Sequence, residues 1–458
     1  MALSKTNGAV ILLIGFVNYL EWAIVMTTIY PYIRSLSKDV PSATVYLSLA
    51  QSLFPLGQGI SQPIASLLVK KMSEIKIVLI ASLIIAIGGN VTYMAAQKAG
   101  SVVLIIVGRA LAGFGAGSGG VAYGFIGANS SRENRVKLMS YYRVTCMIGV
   151  MSSTIASATF LPGFGNNALG KATGLNEFTA PAALTILFLS ISLILVTFVL
   201  NEADCSPVGE AGDGGSVGRS LKSRGVLLGL MLYLLNGYVT TWVGFTMPLV
   251  AFNHFHFNVH EYGWLMVGVS GIATISAFTM AFLSKSKCMT NNKYGDWRVI
   301  VGCYIFMSVA IIIAYLGGPS ILKSSPQHTK EELFISGVIL VFLTYSVAGV
   351  ILPSMTTKYV AKAMMPVIMP YCIAAMSIGK VIAPLVSKAE LGIQGWEFLF
   401  MGTLGLTILG LIFFVCFFRE PEPEDTPLLP AAGALTRDRT SSAEQGIVDS
   451  YPHTSGEE

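Results

Sequence analysis

Twelve apolar runs, each about as long as a helix needs to cross a bilayer, constrain this chain more than any other feature of its sequence. They lie near residues 8–30, 43–68, 75–96, 101–127, 138–160, 180–199, 225–250, 261–284, 298–316, 333–354, 366–386 and 398–418. A helix rises about 1.5 Å per residue and the hydrocarbon core is about 30 Å thick, so roughly twenty apolar residues make one crossing. Of 458 residues 53% are hydrophobic and only 12% charged, too little charge to cover a soluble body of this size. The sequence therefore predicts an all-α membrane protein with twelve transmembrane helices. The opening MALSKTN leads straight into the first run without a small-residue cleavage site, which predicts a retained first span rather than a removed leader.

Sorting the 29 lysines and arginines by alternate loops puts about 20 on the side of both termini and about 7 on the other, so both ends are expected in the cytosol. Arg143, with Arg132, Arg135 and Lys137 before it, reads as the cytosolic edge of the fifth run and a contact for lipid headgroups. A polar, glycine-rich linker at 201–224 divides the chain into two six-helix halves, 1–200 and 225–418. A polar, proline-rich tail at 419–458 is expected to be disordered. The halves echo each other faintly, with Asn18 standing 13 residues before Pro31 and Asn236 standing 12 before Pro248. Weak symmetry of this kind is what transporter repeats leave in a sequence.

Other kinds of chemistry find little support. Neither H-E-x-x-H nor G-x-x-x-x-G-K-[ST] occurs, and the one G-x-S-x-G, at 214–218, falls in the polar glycine-rich linker, which argues against an enzyme. Cys146, Cys205, Cys288, Cys303, Cys372 and Cys416 include no C-x-x-C pair, so neither a metal site nor a disulfide framework is indicated, and no cofactor is expected. The net charge of +5 is spread over short loops, which gives no case for nucleic acid as a partner. Of the two sequons, Asn90 is inside the third run and Asn129 in a cytosolic loop, so neither is expected to carry sugar.

An ionisable side chain at membrane depth costs at least about 2.5 kcal/mol on insertion scales, which makes Glu21, Arg109 and Lys380 the leading substrate or coupling residues. Counted from the run ends, Glu21 and Arg109 each lie about 20 Å from the cytosolic face. They are expected to pair, either as a switch in which Glu21 takes a proton or as a static packing contact. Lys380, in the other half, would draw an anion into a central cavity or snorkel to the lumenal interface. Asn18, Gln51, Gln58, Asn236 and Thr240 are candidate cavity-lining residues, although polar groups that merely hold helices together would look the same. Gly113, Gly115 and Gly117 serve helix packing. His254, His256 and His260 cluster in FNHFHFNVH on the lumenal side, as pH sensors or as solvated interface residues. In the tail, Glu424 stands four residues before Leu428 and Leu429, the form of an adaptor-binding signal for endosomes and lysosomes.

The fourth run and the loop after it, VGRALAGFGAGSGGVAYGFIGANSSRENRVKLMSYYRV, resemble the R-x-x-x-G-x-G-x stretch in the fourth helix of the major facilitator superfamily, through Arg109, Gly113 and Gly115. The family's glutamine before the first glycine is Ala112 here. The loop SLLVKKMSEIKIVL departs from the family's signature at Ser66, Lys70, Ser73 and Glu74. VMTTIYPYI (25–33), the Arg109 stretch and SIGKVIAPL (377–385) are similar to a lysosomal branch of the superfamily. The resemblance implies the major facilitator fold, two pseudo-symmetric six-helix halves around a central cavity. It also implies a secondary transporter of a small solute or anion in an endolysosomal membrane, with membrane lipid and a sorting adaptor as partners. A chloride-type channel and a non-transporting scaffold or receptor are the alternatives.

Overall fold

The structure is a computed structural model and describes residues 4–37, 39–72, 74–129, 132–161, 163–201, 221, 223–283, 295–318, 326–357, 359–360, 365–388 and 395–417. Most of the 201–224 linker and the whole 419–458 tail, with Glu424, Leu428 and Leu429, lie outside the described residues. Among the described residues every regular element is helical.

Each of the twelve runs becomes a helix, and two of them are broken. The first run forms α1 (Lys5–Ile24), with Ser4 accepting from the Asn7 N–H as its N-cap, then a turn, then α2 (Ile29–Leu36). Next come α3 (Val40–Met72), with Pro55 and Pro63 inside it, and α4 (Ile75–Ala99), which ends on left-handed Gly100 at φ 61°. The fourth run divides at Ala116 and Gly117 into α5 (Val102–Gly115) and α6 (Ser118–Ala128). Then follow α7 (Arg132–Thr159), the short α8 (Ala168–Thr173) and α9 (Ala180–Phe198). The second half comprises α10 (Arg224–Asn253), α11 (Val259–Leu283), α12 (Gly295–Leu316), α13 (Gln327–Thr357), α14 (Met365–Lys388) and α15 (Gly395–Phe417).

Ten of these crossings are long and apolar enough to span a membrane on composition alone. The other two, α3 and α7, have the length, 33 and 28 residues, but are more polar. Many of their polar side chains are turned into the protein: Ser48, Ser52 and Ser66 on α3 and Arg143, Thr154 and Ser157 on α7 are all buried. Large apolar side chains such as Val103, Phe198, Phe278 and Leu409 are instead more than half exposed. This inverted distribution suits a bilayer as solvent, where polar groups must be satisfied within the protein.

Close backbone approach makes each half compact. In the first, α5 packs on α3 and α4 while α1 packs on α7 and α9. A Cβ added at Gly113 would run into the Phe54 backbone of α3, one at Gly115 into Ala86 of α4, and one at Gly117 into the Ser61 side chain. Gly89 and Gly108 meet across the α4–α5 contact, each leaving room for the other's carbonyl.

The halves meet through α3 and α6 against α14, and through α7 against α11 and α13. As crossings these include the second with the eleventh and the fifth with the eighth, and a shift of six exchanges one pair for the other. That reciprocity is the two-fold relation between the halves. Hydroxyls carry much of the contact. On the α3–α14 seam Ser48 donates to the Pro384 carbonyl at 3.0 Å, Ser52 to that of Val381 at 3.3 Å, and Ser66 to that of Val367 at 3.3 Å. On the other seam Thr154 and Ser270 share a hydrogen bond of 2.7 Å, and Thr274 donates to the Met147 carbonyl at 3.2 Å.

Overpacking the α3–α5 contact should be costly. Gly113→Ala is expected to destabilise the purified protein by about 1–3 kcal/mol. Gly88→Ala, where an added Cβ meets nothing within 4 Å, should stay within about 0.5 kcal/mol. Thermal unfolding in detergent distinguishes the two, and equal melting temperatures would refute the packing role.

Candidate functional site

Between the halves, adjoining cavities are walled by aromatic side chains and two cations. Asn18, Tyr19 and Trp22 share one face of α1. Phe54 and Gln58 come from α3, Tyr123 from α6 and Tyr142 from α7. Across from them stand Ile373, Met376 and Lys380, spaced along one face of α14. A second chamber shares Tyr19, Tyr123, Ile373 and Met376 with the first, and adds Arg143 of α7, Tyr233 and Asn236 of α10, and Tyr345 and Gly349 of α13. A third opens past Trp22 and Tyr345 into an apolar space lined by Met26, Met147, Val150, Met266 and Phe342.

Arg143 is the residue that sequence reasoning misplaced. Because α7 begins at Arg132 rather than near 138, Arg143 is about 16 Å along the helix, far from its N-terminal end. Its side chain is 2% exposed and lies between the halves. One nitrogen, Nη1, donates to the Tyr19 hydroxyl at 2.7 Å, while Cζ is 5.3 Å from the centre of the Tyr19 ring and 4.8 Å from that of Tyr345. Nε and Nη2 are buried without an acceptor. The signal was present in the sequence: counted from Arg132, Arg143 is three turns into a helix, where a boundary residue does not belong.

Lys380 lies on the cavity wall, 6% exposed, with Nζ 5.4 Å from the centre of the Trp22 ring rather than snorkelling toward a membrane interface. Among the described residues, no carboxylate oxygen comes within 4.0 Å of the side-chain nitrogens of Arg109, Arg143 or Lys380.

Glu21 and Arg109 are both buried in the first half, yet they do not form the expected ion pair. Glu21 Oε1 accepts from Asn90 Nδ2 of α4, and its Oε2 has no partner. Asn90 also donates to the Ala86 carbonyl of its own helix, so its amide is held in place. The Arg109 guanidinium sits 4.2 Å from the centre of the Phe54 ring, and its Nε has no partner. Phe54 lines the cavity and Arg109 does not, so the ring stands between the guanidinium and the open space. Asn90, read from the sequence only as an unused sequon, is thus the hydrogen-bonding partner of the buried acid.

The amide candidates divide. Asn18 lines the first chamber and donates to Ser118 Oγ at 3.1 Å, Gln58 lines it and accepts from Ser377 Oγ at 3.3 Å, and Asn236 lines the second. Gln51 and Thr240 are buried away from these chambers: both amide atoms of Gln51 lack partners, and the Thr240 hydroxyl donates to the Asn236 carbonyl at 2.7 Å. Asn18 and Asn236, the residues of the faint internal repeat, therefore both reach the space between the halves.

The histidines stand at the junction of α10 and α11. His254, His256 and His260 are exposed, and His256 has left-handed backbone at φ 57°. His260 spans the halves: Trp264 Nε1 donates to its Nε2 at 3.2 Å, which leaves Nδ1 as the donor to the Ala158 carbonyl of α7 at 3.1 Å. Partial burial holds the His254 imidazole below its ordinary value, and the neighbouring His256 adds to the shift. A histidine shifted downward takes its proton more readily in the unfolded chain, so its contribution to stability falls as pH drops through the ordinary histidine range, about 6.5, toward the lower folded value. His254→Gln should therefore lessen the loss of melting temperature between about pH 7.5 and pH 5, and an unchanged loss would refute this.

Removing the Asn90 amide should cost more. Asn90→Ala is expected to destabilise the protein by about 1–3 kcal/mol, because the buried carboxylate loses its partner. In the Glu21→Leu background the same change should cost clearly less, which a double-mutant cycle of melting temperatures would read.

Comparison with known proteins agrees with the architecture. The Major Facilitator Superfamily model matches the chain twice, over residues 11–231 and 229–449. Among curated proteins, the MFS-type transporter PUL3 of Kluyveromyces lactis is 20% identical over 438 residues, covering 86% of this chain and 93% of that protein. Among solved structures, the proton:xylose symporter XylE bound to 6-bromo-6-deoxy-D-glucose superposes with a TM-score of 0.68 at 12% identity, covering 91% of this chain and 96% of that one. The human organic anion transporter MFSD10 (TETRAN) superposes with a TM-score of 0.62 at 14% identity, covering 90% and 99%. A bacterial homologue of the iron transporter ferroportin, in its outward-facing state with soaked iron, gives 0.62 at 12% identity, covering 91% and 99%.

Proposed function

This chain belongs to the major facilitator superfamily, and on that premise we propose that it moves a small solute or anion across an endolysosomal membrane by alternating access, coupled to protons. The observation that carries the solute side is the pair of cations, Arg143 from one half and Lys380 from the other, on adjoining cavity walls that hold no carboxylate. Cations held against aromatic rings keep their field, because cation–π contact does not neutralise charge. An anion entering between the halves would meet both. Seam contacts run from Ser48–Pro384 to Ser66–Val367, on either side of the cavity, which favours a carrier that opens one side at a time over a standing pore.

The proton side rests on Glu21. Its carboxyl is buried, with one oxygen on Asn90 and the other unpartnered, beside a guanidinium that leans on a cavity-lining ring. Loading a proton onto Glu21 removes the charge that attracts Arg109. The guanidinium is then free to shift against Phe54, and the cavity wall changes with it. The placement in an endolysosomal membrane, with both termini in the cytosol, rests on the likeness of 25–33, the Arg109 stretch and 377–385 to the lysosomal major facilitator superfamily domain-containing protein 8. The lysine and arginine asymmetry and the Glu424–Leu428–Leu429 signal support it too.

Uptake into proteoliposomes, scanned over pH and candidate anions, tests the reading. The wild type should carry solute at a rate that changes with the proton gradient. Glu21→Gln should keep binding but lose that pH dependence. A Glu21→Gln protein with an unaltered pH profile would refute the proton coupling, and steady currents far above carrier turnover would favour a channel.

A further inference from the structure

Two of the Arg143 nitrogens have no partner, and they are a particular two. Nη1 is held by the Tyr19 hydroxyl, while Nε and Nη2 are the orphans. Nε and Nη2 form one edge of the guanidinium, with two parallel N–H bonds that match the two oxygens of a carboxylate. A guanidinium 2% exposed with that edge unsatisfied is costly, since a buried donor without an acceptor bears its full desolvation penalty. Gly349 of α13 packs against the guanidinium, where an added Cβ would lie 2.7 Å from both nitrogens and 2.8 Å from Cζ, so a side chain at that position would press on the group. Gly349 and Arg143 line the same chamber.

The space beyond Arg143 has a second character. Tyr345, whose ring lies against the guanidinium, also borders the chamber of Met26, Met147, Val150, Met266 and Phe342, and Trp22 joins that chamber to the one holding Lys380. A lone halide would use a single donor direction and leave this apolar space empty. A molecule with a planar two-oxygen anion at one end and an apolar body at the other would use both.

We propose that the central site takes an amphipathic organic monocarboxylate, its carboxylate seated side-on at Nε and Nη2 of Arg143 and its apolar body in the methionine-lined chamber. Lys380 supplies the opposite half's charge and draws the same anion toward α14. This rests on the transporter reading for its purpose but not for its chemistry. Arg143 thereby becomes a substrate-binding residue, and Gly349 a positioning residue that acts through it.

The test is equilibrium binding to the full chain in lipid nanodiscs, with 3-phenylpropionate as probe and with 3-phenylpropanamide, acetate and chloride as comparisons. The probe should bind at least about tenfold more tightly than each comparison, the amide testing the charge, acetate the body and chloride the fork. Arg143→Gln should weaken the probe by about tenfold or more. Arg143→Lys, which keeps the charge without the fork, should not restore it. Gly349→Ala keeps every charge and should weaken the probe while leaving any chloride binding unmoved. Equal binding of probe and amide, or of probe and acetate, would overturn the proposal, as would full affinity in a folded Arg143→Gln protein. If Arg143→Gln does not fold, the ligand comparison and Gly349→Ala decide. Flux of another solute without carboxylate binding would sink this inference alone. Carboxylate binding without flux of any tested solute would instead sink the transporter reading.

Discussion

A guanidinium removed from water must recover its hydrogen bonds from protein, and in this molecule Arg143 recovers them only in part. The loss of hydration is offset by Tyr19, which accepts one bond, and by the Tyr19 and Tyr345 rings that flank the charge. Lys380 is handled in the same way against Trp22, and Arg109 against Phe54. Each such contact contributes about 0.5–2 kcal/mol depending on desolvation. A carboxylate partner would cancel the field, whereas a ring leaves it in place for something that enters. Tyr19 comes from α1, Tyr345 from α13 and Arg143 from α7, so this one charge ties together both halves of the molecule.

The contacts within a half and those between halves are of different kinds. Inside the first half, glycines at 89, 108 and 113 let backbones touch, and separating them would open voids along whole helix faces. Between the halves the seam is made largely of serine and threonine hydroxyls donating to carbonyls or to each other. Such bonds average about 0.6 kcal/mol in membrane interiors. A group of them at one end of the seam can be lost and replaced by lipid-side or water-side partners at small cost. The proposed rocking of two stiff bodies about a soft seam fits that division, without any hinge segment.

Hydropathy made the number and place of the crossings legible, because a helix in lipid must be apolar for about twenty residues and nothing else imposes that length. It also hid part of the answer. α3 and α7 face protein over much of their length, so lipid does not demand apolar residues there, and the apolar run understates α7 by six residues at its start. Arg143 was lost in that gap. The break at Ala116–Gly117 left no hydropathy signature, since both flanks are about equally apolar. Glu21 and Arg109 were recognisable as buried charges, but depth alone could not say which neighbour each would choose. Asn90 reached Glu21 from α4, a helix whose sequence gave only a sequon at that position. Asn18 and Asn236 were found by internal symmetry, which hydropathy does not use.

The symmetry is broken in a way that assigns work to each half. Three of the four buried charges of the described core, Glu21, Arg109 and Arg143, belong to the first half, and only Lys380 to the second. Glu21 and Arg109 are set behind Phe54, in the packing of α1, α3, α4 and α5, where a change of protonation alters how helices of one half fit together. Arg143 and Lys380 are in front, on opposite walls of the space between the halves. In the proposed coupling, a proton at the rear site acts on the front through Phe54 and the α1 face carrying Asn18, Tyr19 and Trp22. That same α1 stops short at residue 24, so its cavity face ends at a turn rather than continuing as a rigid rod. The corresponding helix of the second half, α10, runs unbroken over 30 residues. In the proposed mechanism the first half senses the proton, and the second supplies the surface against which the cavity opens and closes.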